Sequence, residues 1–206
     1  MNRVLIWLAV IFGVGCVAAM FAVLVVLFGP SLLGPKVVTW QEEARQADGS
    51  ILVLTRTITL GGGHEVGQTA PVAAETISFV HPKTGKTVTW NSPSDPLMPV
   101  DPFLVQVNGA GAWVLVNPRT IVSQKKYGNP CPPFILQDIN GSAVDNRSAR
   151  DLPDMYRFVN VIVEPRTKGV LDRIKKEKYI SFELVREINS KITANRLMVL
   201  DYSYCY

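Results

Sequence analysis

Hydrophobic residues are spaced in two ways along this chain. Residues 4–28 run for 25 positions without one charged, amide or hydroxyl side chain. Beyond Lys36, apolar and polar positions alternate. A helix rises ~1.5 Å per residue, so the first run would extend roughly 37 Å, against a hydrocarbon core of about 30 Å. In lipid such a segment must satisfy its backbone internally, which predicts one transmembrane helix, stopped by Gly29-Pro30. The plan read from the pattern is a transmembrane helix at 4–28, a linker at 29–36 and a β-rich extracytoplasmic domain at 37–206.

Within that domain the alternation is punctuated as a series of β-hairpins. Strand 37–44 is expected against 51–60 around Asp48-Gly49, a strong hairpin dipeptide. Leu52, Leu54, Ile58 and Leu60 share one face of the second strand, with Arg56 the exception, and Thr55, Thr57 and Thr59 share the other. Further hairpins pair 75–81 with 86–91, 103–107 with 112–116, and 134–138 with 142–146, across turns rich in Gly, Pro and Asn. Trp40, Trp90 and Trp113 fall on these strands, as core or sheet-face residues. The economical assembly is a twisted meander or two stacked sheets.

The last quarter changes period. Residues 158–163 form a short β-branched run closed by Glu164-Pro165. Ser181 is placed to cap a helix with Phe182, Val185, Ile188 and Ile192 on one face, and Glu187 and Lys191 paired outside. Residues 198–206 alternate again as a closing strand. The fold class is therefore α+β: an N-terminal single transmembrane helix, then a mostly antiparallel β-rich domain with one or two late helices.

Only Arg3 among the basic residues precedes Lys36, leaving 20 Lys and Arg against 17 Asp and Glu in the domain. That balance is an ordinary solubility charge and argues against a nucleic-acid partner. A cleaved signal peptide would have a shorter core and a small-residue cleavage site, and a lipoprotein would have Leu three residues before its Cys. Neither pattern is present around Cys16 or after Phe28. The short N-terminal tail leaves little to translocate, which favours a bacterial inner membrane protein with its domain in the periplasm, although the flanking charges discriminate weakly. Ala9/Gly13, Gly15/Ala19 and Ala18/Ala22 have the small-residue spacing that lets membrane helices approach. The expected partners are the bilayer and, through the helix, other membrane proteins or a second copy.

Candidate chemistry is sparse. Gly61-Gly62-Gly63-His64-Glu65-Val66-Gly67-Gln68 is the most unusual loop, and His64, Glu65 and Gln68 form a weak candidate ligand site. No P-loop pattern follows, and His81 is the sole other histidine, so neither a metal nor a cofactor is expected. Glu42 and Glu43 are adjacent on a strand, so their carboxylates should diverge, one exposed and one ion-paired near the sheet edge. Cys131, stiffened within Asn129-Pro130-Cys131-Pro132-Pro133, and Cys205 are the thiols outside the apolar run and form a candidate disulfide. The basic stretch 166–178 is expected to be a solvated helix or loop surface, with attraction to anionic lipid as the other reading.

Trp40-x-Glu42-Glu43, Gly62-x-His64-Glu65-x-Gly67-Gln68 and Asn129-Pro130-x-Pro132-Pro133 resemble motifs in a group of uncharacterised proteobacterial proteins with an N-terminal membrane anchor or export signal. The resemblance covers about residues 37–140. It implies a bacterial envelope setting and a β-rich domain, and brings no activity. The functional expectation is a membrane-anchored, non-catalytic binding or scaffolding module. The alternatives are a membrane-tethered hydrolase using His64 and Glu65, or an accessory subunit of a larger membrane complex.

Overall fold

The computed structural model describes residues 20, 35–61, 70–93, 99–109, 111–129, 135–139 and 159–192. Contacts divide the chain into two units, Met1–Lys36 and Val37–Tyr206. Apart from Met20, the apolar run at 4–28 lies outside the described residues, among which no helix is long and apolar enough to cross a membrane.

The second unit is β-rich, with mostly antiparallel sheets and late helices. Strands β1 (Lys36–Arg45) and β2 (Ile51–Leu60) are joined by a tight turn, which Gly49 closes with a φ of 85°. Strands β3 (Val72–Val80) and β4 (Thr87–Asn91) form the next hairpin, with Gly85 at φ 68°. L-residues with a Cβ rarely adopt these angles, which is why glycine stands there. β5 (Val100–Asn108), β6 (Gly111–Pro118) and β7 (Ile135–Asp138) make a separate three-stranded sheet in the order β5-β6-β7. The first sheet runs β4-β3-β2-β1-β8, where β8 is the two-residue strand Tyr179–Ile180, parallel to β1. Helix α1 (Ile121–Lys126) lies between β6 and β7, α2 (Lys168–Glu177) between β7 and β8, and α3 (Phe182–Ile192) follows β8.

Alternation on β1 and β2 turns Val38, Trp40, Ala44, Leu52, Leu54, Ile58 and Leu60 to one face, where all are buried. That inner face is shared by two cores. Leu52, Leu54, Ile77, Phe79 and Trp90 pack with Val105, Val114 and Val116 of the second sheet. Val38, Trp40, Ile58 and Leu60 pack with Leu171 and Ile174 of α2 and Val185 and Ile188 of α3. Burying each such side chain contributes about 1.5–3 kcal/mol.

The three hairpins read between 37 and 118 form as expected, with strand ends shifted by a few residues. β7 forms too, paired with β6, while its expected partner at 142–146 and the closing strand at 198–206 lie outside the described residues. The β-branched run at 159–163 is buried but makes no strand, because side-chain amides stand in for a ladder. Asn160 Oδ1 accepts from Val105 N, and its Nδ2 donates to the carbonyls of Val105 and Arg45. Asn189 on α3 accepts from Val163 N and donates to Val161 O. Gln46 repeats the device, accepting from Val107 N and donating to Val105 O. These amides tie the first sheet to the second and the run to α3, satisfying buried peptide groups that would otherwise be orphaned.

Candidate functional site

Among the described residues, the most concentrated chemistry lies on the inner face of the first sheet, where three buried residues with inward parity are charged. Glu42 on β1, Arg56 on β2 and Glu75 on β3 are all essentially inaccessible to solvent. Arg56 Nη1 donates to Glu42 Oε1 at 2.7 Å and to the carbonyl of Ile162 at 2.8 Å. Its Nε donates to Glu75 Oε1 at 3.0 Å, and Nη2 donates to the same oxygen. The indole of Trp40 lies 5.0 Å from the guanidinium and donates to Glu42 Oε2 at 2.9 Å. Both Glu42 oxygens are thus occupied, whereas Glu75 Oε2 is buried without a hydrogen-bond partner among the described residues.

The electrostatics follow from this geometry. Burial works against the Arg56 charge, but the two carboxylates outweigh it and hold the guanidinium more firmly protonated than in water. Burial pushes the Glu75 carboxyl above the usual carboxylate range, Arg56 opposes that, and Asp101 adds to it. Asp101 is itself paired with Arg119. Three carboxylates therefore face two guanidiniums, and one proton on Glu75 would balance the cluster. A buried group of this kind, bridging three adjacent strands, holds the sheet in register.

Glu43 shows the divergence expected of adjacent strand residues. Its carboxylate accepts from the hydroxyl of Tyr179 and, at 2.9 Å, from the backbone N–H of Phe182, the first residue of α3. Bonding to Glu43 raises the Tyr179 phenol above its ordinary value. Glu43 thus caps α3 from another element, beside the weaker contribution of Ser181 Oγ, which accepts from Leu184 N at 3.4 Å. Glu42 is ion-paired, as read, on the strand next to the sheet's edge, where the two-residue β8 extends the sheet beyond β1.

His81 is buried in the β3–β4 turn, its Nδ1 accepting from the backbone N–H groups of Lys83 and Thr84 at 3.2 and 3.4 Å. That ring nitrogen serves the turn. The basic stretch after Arg166 is the helix α2, with Val170, Leu171 and Ile174 inward and Arg173 outward near Glu177 and Glu187. His64, Glu65, Gln68, Cys131 and Cys205 lie outside the described residues. Among the described residues no three His, Cys, Asp or Glu side chains converge as a metal-binding set.

The outer face of the same sheet is the inverse of the inner one. Thr39, Thr57, Thr76 and Asn91 form one row across four strands, knit by Thr39–Thr57 and Thr76–Asn91 hydrogen bonds. The next row includes Thr55, Ser78 and Thr89, and beyond it Val80 faces Thr87 across the β3–β4 pair, with Val53 and Ile51 exposed on the same side. Glu43 and Arg45 are the charged residues at outward positions of this sheet's described strands, and both are engaged at the start of α3, Arg45 lying 5.6 Å over the Phe182 ring. Sequence reasoning saw the threonines on one strand; the rows across strands depend on register, which pairs Thr57 with Thr76 and Thr55 with Ser78.

The chain matches no protein-family model, no curated protein and no solved structure.

Proposed function

We propose that this chain is a single-pass membrane protein, anchored by residues 4–28, whose extracytoplasmic β-rich domain is a non-catalytic binding or scaffolding module. The observation that carries the reading is the contrast between the sheet's faces. The ionisable groups that converge on the sheet are sealed inside it, Arg56 bonding both Glu42 and Glu75. The other face is hydroxyl-rich and nearly free of charge among the described residues. Such a face complements a partner that carries little charge where it touches, because a charged group set on it would lose water without gaining a counter-ion. The run of 25 uncharged residues supports the anchor.

The test is purification of the full chain from membranes in mild detergent, followed by identification of co-purifying molecules. A Thr57→Lys/Thr76→Lys variant is carried in parallel. The reading expects a reproducible partner that the double variant loses while remaining folded and membrane-bound. A partner held equally by both proteins would place binding elsewhere, and a chain stripped from membranes by alkaline carbonate would remove the anchor from the reading.

A further inference from the structure

We infer that the first turn of α1 rests on the surface of the bilayer, with Ile121 and Val122 at the boundary between headgroups and acyl chains; this rests on the anchor reading above. Among the described residues the two form an adjacent apolar pair at one end of the domain, 71% and 54% accessible. Val37, at the start of β1, is 59% exposed.

These residues share the end at which the chain enters. The Thr39–Thr57 bond and the Thr57–Thr76 register set the start of β1 level with the end of β2 and the start of β3. β5 begins at that same end, because Asp101 and its partner Arg119 act electrostatically on Glu75, near the start of β3. β5 finishes at the other end, where Gln46, just past β1, binds Val105 and Val107. Arg119 follows β6 and donates its N–H to Pro99 O, so Ile121, two residues later, projects from the entry end.

Chain length makes the occupant specific. Eight residues, 29–36, separate the apolar run from Val37. Even fully extended, they span only roughly 30 Å, and two of them are prolines. On the anchor reading, the entry end can therefore lie no farther than about 30 Å from the membrane. An apolar pair flanked by basic residues suits a headgroup layer, and both Lys36 and Lys125 lie on this end, with no acidic residue in the first turn of α1. Thr120 fixes the turn, its Oγ1 accepting from Ser123 N at 3.0 Å, so the pair is presented by a closed capping box.

The experiment places an environment-sensitive fluorophore on a single cysteine in the full chain, with Cys16, Cys131 and Cys205 replaced by alanine. Sites are Ile121→Cys, Val122→Cys and, at the far end of the sheet, Val80→Cys. Each protein is reconstituted into phosphatidylcholine vesicles with and without phosphatidylglycerol, and a quencher is attached to the lipid headgroups. The inference expects blue-shifted, quenched emission at 121 and 122 but not at 80, with the larger shift in anionic vesicles. Emission at 121 and 122 matching that at 80, in vesicles that keep the chain through a carbonate wash, overturns the inference and leaves the anchor standing. Loss of the chain in that wash overturns both.

Discussion

Arg56 and Thr57 are consecutive on β2 and face opposite sides of one sheet. On Arg56's side, charges are packed among tryptophan and aliphatic side chains, each paired within the domain. On Thr57's side, where water would solvate charge at little cost, the strands present hydroxyls and small β-branched groups. The usual distribution is reversed. Burying ions stabilises a fold little in net terms, since desolvation cancels most of the Coulomb gain. Its effect is to penalise every arrangement that separates the partners. Glu42, Arg56 and Glu75 come from three adjacent strands, so any register slip would strand a buried charge. The inner face specifies the sheet, and the outer face is the one on which contact is proposed.

The largest effect separating the faces is expected at Glu42. Glu42→Ala strips Arg56 of one counter-ion and leaves the Trp40 indole without its acceptor, and should cost about 3–5 kcal/mol in urea denaturation. Replacing all three charges with apolar residues (Glu42→Leu, Arg56→Met, Glu75→Leu) should recover most of that loss. If the triple variant is as unstable as the single one, the ion cluster contributes net stability and not only specificity.

Glu75→Gln sharpens the picture through pH. The native Glu75 carboxyl holds its proton more tightly than the unfolded one, chiefly through burial. Its contribution is therefore fully present below the ordinary carboxylate value and is lost as pH rises through the raised native value. Wild type should lose stability relative to Glu75→Gln over that window, by at most about 1.4 kcal/mol per pH unit. Parallel denaturation midpoints across the window would contradict a proton on Glu75.

Glu43 lies on the outward side yet serves structure, because α3 begins against it. Glu43→Ala should cost about 1 kcal/mol, with hydrogen exchange accelerated in the first turn of α3 and not in the sheet. Uniform acceleration across the sheet would show that Glu43 supports more than the cap.

Much of this architecture was legible in the sequence because its signals are local. Asp48-Gly49 and the glycine-bearing turns near 85 and 109 delimited three hairpins, and alternation gave each strand its buried face. Ser181 and the spacing of Val185 and Ile188 marked α3. The ion cluster was half visible: Arg56 broke the apolar face of β2, and Glu42 shares parity with Val38 and Trp40. Its completion by Glu75 was hidden, because pairing across strands requires a register that one strand does not encode. The run at 159–163 had the composition of a strand, but its backbone is satisfied by Asn160 and Asn189, contacts with no sequence periodicity. The row Thr39–Thr57–Thr76–Asn91 likewise becomes visible only after the strands are aligned.

The most direct test of this division is equilibrium denaturation of Arg56→Met and Thr57→Lys side by side. The two faces, one residue apart, should give opposite outcomes: a loss of about 3–5 kcal/mol for Arg56→Met, and a change within about 0.5 kcal/mol for Thr57→Lys. A Thr57→Lys loss as large as that of Arg56→Met would show that the outer face is built for stability and contradict the account.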